Sequence, residues 1–244
     1  MGSPLSVSQS VTLGVVSNTE LIMPRMFRTS MTLDGEDVGS IVRWIGHDAA
    51  IFPGNSGGPL VNLAGEIVGV NEISFGLAGA IPSDLAQHVV NALIKDGTVR
   101  RSWLGFEVQP LVGGATGGAL VSWVAEGSPA AAAGVTAGDV LEMVGDAAVV
   151  ARFAEQLPVV NQLLYGLPIG RPVRLALRRG GKPIAVTITP EERGLARSAR
   201  AEIRAWGMTA ANLSAIEARE LGRESRDGAR VINLRPGGPA SDAK

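Results

Sequence analysis

Gly54-Asn55-Ser56-Gly57-Gly58-Pro59-Leu60 decides how the rest of the chain is read. A serine set among glycines can occupy a sharp, exposed turn. Glycine accepts the positive φ that such turns demand and lets another backbone approach closely. Backbone N–H groups on the turn can then face a developing oxyanion. Ser56 is the expected nucleophile, and the amides of Gly54 and Ser56, on a loop completed by Asn55, are the expected oxyanion donors. The string also satisfies G-x-S-x-G, a pattern that elsewhere bends a strand into a helix. Here Pro59-Leu60-Val61-Asn62-Leu63 is followed by Ala64-Gly65 and then by Glu66-Ile67-Val68-Gly69-Val70. Apolar run, turn, apolar run predicts a strand–turn–strand context instead.

Outward from this motif, short apolar runs at Val11–Val16 and Ile41–Ile45 also predict strands. A helix is predicted next. Ser83 can cap it, Asp84 suits its first turn, Leu85, Val89, Leu93 and Ile94 fall near helical spacing, and Lys95 and Gly97 close it. A second unit opens at Trp103-Leu104-Gly105-Phe106. Arg152–Leu164 is apolar and predicted to be helical in part, with Pro158 as a start or a kink. Val173–Leu177 and Ile184–Ile188 alternate around Gly180-Gly181, which predicts a hairpin. Pro190–Arg204 has the composition of a linker. An internal repeat runs through the second half. Gly118-Ala119-x-Val121 recurs as Gly228-Ala229-x-Val231, Gly127-Ser128-Pro129-Ala130 as Gly237-Gly238-Pro239-Ala240, and Leu104-Gly105-Phe106 as Trp206-Gly207-Met208. The second copy stops at Lys244, before any partner of Gly138-Asp139-Val140-Leu141, so truncation at that end is expected.

Composition removes several classes. The 244 residues carry 22 Lys+Arg against 23 Asp+Glu, so there is no basic excess to drive nucleic-acid binding. With no cysteine and two histidines, zinc-finger, iron–sulfur and thiol-nucleophile chemistries fail, and neither metal nor cofactor is expected. The 32 glycines, about twice the usual share, follow no collagen-like period and point to turns. No run approaches the ~20 apolar residues of a membrane helix. The N-terminal residues have no basic or apolar signal-peptide regions.

Six segments together resemble the second barrel of the HtrA/Deg family of trypsin-like serine peptidases with PDZ domains. They are Gly2-Ser3-Pro4-Leu5, Val11-Thr12-x-Gly14-Val15-Val16-Ser17, Asp48-Ala49-Ala50-Ile51, Pro53–Leu60, Gly65–Asn71 and Ala80-Ile81-Pro82-Ser83. Trp103-Leu104-Gly105-Phe106 resembles the entry to the family's first PDZ domain. The resemblance implies a mainly β chain. Residues 1–97 would be the second half of a chymotrypsin-like double β-barrel, and 98–193 one complete PDZ domain. Residues 194–244 would be a linker and a truncated second PDZ domain. By the same resemblance Ile51, Val70 and Asn71 would border the specificity pocket, and an apolar Ile51 favours small or aliphatic side chains. Phe52 stands where the family has asparagine. Leu104, Gly105 and Phe106 would form the loop that takes a peptide carboxylate, with Phe153, Leu157 and Leu163 on the opposite wall of the groove. The implied partners are unfolded or misfolded polypeptides and protein C-termini, in a homotrimer or higher homo-oligomer, in the periplasm or another exported compartment.

A serine hydroxyl needs a base within hydrogen-bond reach. In the family a histidine and an aspartate precede the serine, on the first barrel. Only 55 residues precede Ser56, and none of them resembles those motifs. His47, nine positions before Ser56, is expected on the surface, His88 on a helix, and Asp48 in loop bonding. Loss of triad members costs about 10⁴- to 10⁶-fold in kcat, so the 244 residues alone are expected to be nearly inactive. Two roles stand against each other. One is part of a serine endopeptidase of protein quality control, and the other is an inactive, peptidase-like PDZ adaptor. An α/β-hydrolase would require a helix directly after Gly58.

Overall fold

The computed structural model describes residues 10–22, 32–33, 36–37, 39–74, 76–113, 117–193, 201–213, 221, 223, 225 and 227–243. The chain is mainly β. Its first part holds β1 (Val16–Leu21), a small ladder of β2 (Thr32–Leu33) with β3 (Glu36–Asp37), β4 (Trp44–His47), β5 (Pro59–Val61), β6 (Ile67–Ser74) and β7 (Ala78–Pro82). Five of these form one antiparallel sheet in the order β1-β4-β7-β6-β5. Among the described residues β1 and β5 end this sheet unpaired with each other, so it is open and not a closed barrel. Gly2-Ser3-Pro4-Leu5 lies outside the described residues.

Two expectations shift. Val11–Val15 is not a strand, and Val11 and Leu13 are 75% and 89% exposed. The run has apolar residues but no ladder partner among the described residues, and Asp48 ties down its end, donating its N–H to the Val15 carbonyl and accepting the Val15 N–H on Oδ1. The strand begins one step later, at Val16. The predicted helix is α1 (Ser83–Asp96), with Pro82 in the N-cap position and Ser83 already helical. Gly97 closes it at φ 70°, donating its N–H to Leu93.

The second part runs through β8 (Ser102–Trp103), β9 (Phe106–Pro110), β10 (Ala119–Val124), α2 (Pro129–Ala132), β11 (Val140–Val144), β12 (Ala147–Ala148), a 3-10 turn (Ala154–Gln156), α3 (Leu157–Tyr165), β13 (Val173–Arg179), β14 (Lys182–Ile188) and β15 (Glu191–Glu192). The main sheet has the order β14-β13-β11-β10-β9, with β12 beside β11, and β8 pairs with β15. Leu104, Val121, Leu141, Leu175, Leu177, Val160 and Leu164 belong to its buried core. Pro158 lies in the first turn of α3 and starts the helix. The predicted hairpin is present. Gly180 and Gly181 take φ 55° and 81°, the two positive values of a type I′ turn.

The expected linker is shorter than its composition suggested. Pro190 is buried and its carbonyl accepts the Gly170 N–H at 2.8 Å, so residues 190–193 belong to the second part. Beyond it, β16 (Ala201–Ile203), β17 (Met208–Asn212) and β18 (Ala229–Leu234) form a three-stranded sheet, followed by α4 (Pro239–Asp242). The sequence repeat is also a structural one. Ala125 and Arg235 each donate to the glycine carbonyl of the loop, Gly105 or Gly207, at 2.7 Å. Ala130 donates to Leu104 at 2.9 Å, and Ala240 to Trp206 at 3.0 Å.

The first and second parts touch through α3. Asn161 Nδ2 donates to the Ser40 carbonyl at 2.8 Å and Gln162 Nε2 to the Ile41 carbonyl at 2.5 Å. Tyr165 packs on the small core of Ile41, Val42, Trp44 and Ile73. A cleft of about 750 Å³ lies beside these contacts, between α1 and α3.

Candidate functional site

Two consecutive turns carry Ser56. In the first, Asn55 N–H bonds the Phe52 carbonyl at 2.9 Å, with Gly54 third in the turn at φ 103°. In the second, Gly58 N–H bonds the Asn55 carbonyl at 3.0 Å, with Gly57 third at φ 84°. A positive φ at the third position is what a type II turn requires, and Pro53 before Gly54 presets the first of them. The second turn is stitched to β6. Gly57 N–H donates to the Asn71 carbonyl at 2.7 Å, and Asn71 N–H donates to Gly58 at 2.9 Å. Asn55 is 3% exposed, whereas Ser56 is exposed. The N–H groups of Gly54 and Ser56 have no acceptor among the described residues. The chain thus presents an exposed hydroxyl beside two amides that the loop holds in place without using them. The next element is β5, a strand, which excludes the strand-to-helix elbow of an α/β-hydrolase.

The Ser56 hydroxyl donates to the Glu72 carbonyl at 3.2 Å. No histidine bonds it among the described residues. His47 is 1% exposed, so the expectation of a surface histidine was wrong. It lies on β4 between Val16 of β1 and Ala78 of β7, and its Nε2 is 3.0 Å from Asn71 Oδ1. His88 is exposed on α1 as expected, and Asp48 does bond the loop, accepting the Val15 N–H at 2.7 Å. Of the residues expected at the specificity pocket, Ile51 and Val70 are half-buried. Asn71 is buried, with its side chain on His47 and its backbone on the serine turn. Phe52 is 51% exposed and enters the turn through its carbonyl alone, so its side chain leaves the loop bonding intact.

Glu72 and Trp44 had no place in the sequence reading. The indole Nε1 of the fully buried Trp44 donates to Glu72 Oε2 at 2.6 Å. Burial pushes the Glu72 carboxyl above its ordinary pKa, and the indole hydrogen bond pulls the other way. An acidic residue inside the apolar Ile67–Ile73 run was the only signal that could have pointed to it.

The residues expected at the peptide groove lie in the second part, but not all in one place. β9 is an edge strand whose outer side has no ladder partner among the described residues, and α3 and the 3-10 turn lie against it. Such an edge can take an extended peptide as one more strand. At its start Gly105 has φ 83°, and a Cβ there would lie 2.1 Å from Ser128 Cβ. Leu104 is buried and Phe106 packs on the core, while the Gly105 N–H has no acceptor among the described residues. Phe153 is exposed and Leu157 packs on the core. Leu163 lines the cleft between the two parts, together with Val159, Gln162 and Gly166 at helical spacing.

A trypsin-like peptidase domain profile matches residues 1–70, and a PDZ domain profile matches residues 102–189. A probable periplasmic serine endoprotease, DegP-like, of Pseudomonas putida is 35% identical over 269 aligned positions, covering 97% of this chain and 53% of that protein. The putative serine protease HhoB of Synechocystis is 35% identical over 211 positions, covering 78% of this chain and 47% of its own length. Among solved structures, the HtrA-type protease AlgW with tripeptide superposes with a TM-score of 0.64 at 30% identity, covering 79% of this chain and 63% of that one. The serine endoprotease from Yersinia pestis gives 0.55 at 32% identity, covering 78% of this chain and 60% of that one. The chain carries a trypsin-like peptidase match and a PDZ match, and along most of its length it is similar to serine proteases of the HtrA/Deg type. It spans about half the length of the curated relatives it matches. The HtrA/Deg resemblance drawn from the serine string and the PDZ strings is therefore sound, and the mainly β trypsin-like and PDZ architecture with it.

Proposed function

We propose that these residues supply the nucleophile and the peptide-reading groove of a serine endopeptidase that acts on unfolded or misfolded chains. The observation that carries this is the double turn. Ser56 stands exposed, flanked by the unengaged amides of Gly54 and Ser56. Ser56 Oγ would attack a substrate carbonyl carbon while its proton passes to a base, and the two amides would hold the resulting oxyanion. Collapse expels the amine with that proton, and water then releases the acyl group from Ser56. Neither histidine is placed to serve as the base, since His47 is committed to Asn71 and His88 rides on α1. The base and its orienting carboxylate belong outside these 244 residues, and the chain by itself should be close to inert. Leu104, Gly105 and Phe106 would receive a C-terminal carboxylate while β9 takes the peptide as a strand. Residues 1–97, 98–193 and 194–244 would be the peptidase, PDZ and second PDZ-like units. A homotrimeric assembly and an exported location complete the proposal, the latter supported by relatives described as periplasmic.

The hydrogen bond from Ser56 to Glu72 favours a second reading, a peptide-binding adaptor without catalysis. A fluorophosphonate probe on the full-length native protein separates the two. Labelling that disappears in Ser56→Ala supports the peptidase. Binding of C-terminal peptides with no labelling supports the adaptor and overturns the first reading.

A further inference from the structure

Asn71 is where the serine turn is fixed to the sheet. Its carbonyl accepts the Gly57 N–H at 2.7 Å, and its own N–H donates to the Gly58 carbonyl at 2.9 Å. Gly57 and Gly58 are the last two residues of the turn that begins at Asn55 and carries Ser56 second. A shift of the Asn71 backbone is therefore passed to the Ser56 hydroxyl and to the Ser56 N–H. The side chain of Asn71 has a different partner. Its Oδ1 lies 3.0 Å from Nε2 of His47, and the two residues are 3% and 1% exposed. A carboxamide oxygen only accepts, so Nε2 carries the proton and donates. His47 is itself fixed by β4, which pairs it with Val16 of β1 and Ala78 of β7. One buried bond thus joins the middle of the sheet to the residue that holds the turn. An apolar side chain would fill this strand position without the cost of burying an imidazole. The ring supplies what such a side chain could not, a donor that reaches Asn71.

Resting on the peptidase reading above, we infer that His47 is a positioning residue for Ser56. Its Nε2–H holds the Asn71 side chain, and the Asn71 backbone in turn holds the Ser56 turn where hydroxyl and amides can act together. His47 takes no proton from Ser56 and touches no substrate. Without its donor Ser56 would remain reactive but loosely placed, which slows the chemical step and leaves substrate binding as it was. A His47 that served stability alone would behave differently. Its loss would reduce the number of folded molecules and leave each of them as fast as before.

The test uses the full-length native protein with two matched amides at this position. In His47→Gln the side-chain N–H falls near the place of the imidazole Nε2 and can still reach Asn71. In His47→Asn it falls near the place of Nδ1 and cannot. Fluorophosphonate labelling carried to completion counts the competent sites, and turnover of denatured, fluorescein-labelled casein is expressed per labelled site. His47→Asn should lose at least about tenfold in kcat with KM within about twofold of wild type, since misplacement by about 1 Å can cost on the order of 100-fold. His47→Gln should keep kcat within about threefold of wild type, the mark of a retained donor. An unchanged kcat per site in His47→Asn, or an equal fall in His47→Gln, overturns the inference while leaving the peptidase reading in place. Counting by labelled site removes the effect of partial folding. If neither variant folds, Asn71→Ala removes the acceptor of the same bond and must show the same fall in kcat, and a normal kcat there overturns the inference too. If fluorophosphonate fails to label Ser56 in the wild type, the peptidase reading falls and takes this inference with it.

Discussion

Gly105→Ala should damage the PDZ unit far more than the equivalent change at Gly207, and the structure gives the reason. Both glycines occupy the same place in the repeat with positive φ, 83° and 64°. An alanine in that region costs about 1–2 kcal/mol in either loop. The surroundings differ. A Cβ on Gly105 would lie 2.1 Å from Ser128 Cβ, 2.6 Å from Ser128 Oγ and 3.3 Å from Trp103 Cζ2. Carbon atoms rest at about 3.5–4.0 Å, so backbone must move, and such overpacking adds about 1–3 kcal/mol. A Cβ on Gly207 would meet nothing nearer than 3.4 Å. The repeat supplies the cause, because Gly238 occupies the place of Ser128. Gly105→Ala should therefore cost about 2–5 kcal/mol and Gly207→Ala about 1–2. Ser128→Gly removes both clashing atoms and weakens the cap on Ala131 N–H by only a few tenths of a kcal/mol. Added to Gly105→Ala, it should recover about 1–3 kcal/mol as a coupling energy. Hydrogen exchange on the full chain reads these values sheet by sheet, and fluorescence polarisation with a C-terminal peptide reads the groove, where Gly105→Ala should lose at least about tenfold in affinity. If Gly105→Ala costs no more than Gly207→Ala, or Ser128→Gly restores nothing, close approach to Ser128 is not what shapes this loop.

Two further predictions concern pH. Asp139 is fully buried, accepts the Thr136 N–H at 2.9 Å, and is gripped by Arg179 through Nε and Nη2 at 2.7 and 2.8 Å. Arg179 holds its pKa below the usual carboxylate value, so this stability is present above the unfolded pKa of about 3.9 and is lost as pH falls through the folded pKa. Asp139→Asn should cost about 2–4 kcal/mol at neutral pH, with the difference from wild type shrinking in acid, as urea titrations across pH would show. Glu72 has the opposite sign. Its pKa is raised in the fold, so its contribution is fully present below the unfolded pKa and is lost as pH rises through the folded one. Glu72→Gln should raise Tm at neutral pH and lose that advantage in acid, and a variant that gains in acid instead contradicts the assignment.

What was legible in the sequence was written by glycine at short range. Gly54 and Gly57, Gly180 and Gly181, and the repeated loop glycines each answer a local demand for positive φ, so the turns, the hairpin and the repeat followed from spacing alone. What was illegible depends on neighbours distant in sequence. His47 carries a polar ring in a short strand, and it is buried by partners far along the chain, Val16 of β1 and Ala78 of β7 beside it and Asn71 of β6 against its ring. Glu72 meets the Ser56 hydroxyl through a bulge, which shifts register without any residue type to announce it. Val11–Val15 shows the converse. Its apolar alternation is that of a strand, yet no second edge lies beside it among the described residues. α3 was readable as a helix, but not that its Val159–Gln162–Leu163–Gly166 stripe lines a cleft against the first part of the chain.

The hydrogen bond between Ser56 and Glu72 need not oppose catalysis. It joins two neutral groups at 3.2 Å, with the hydroxyl exposed to water. The net worth of such a bond is about 0.5–1.5 kcal/mol, and water can replace it. A base brought to Ser56 would offer a bond of at least equal strength, so rotation of the hydroxyl away from Glu72 costs little. The amides are a different matter. Their orientation follows from backbone held by two turns and by the Gly57–Asn71 and Asn71–Gly58 bonds, and no side-chain rotation could create it. On the proposed peptidase reading these amides would be the oxyanion donors and the expensive part of the machinery, since preorganisation of this kind is the larger share of catalysis in acyl transfer. Both turns are closed in the structure without a base in contact, so on that reading arrival of the base would require no refolding of the loop.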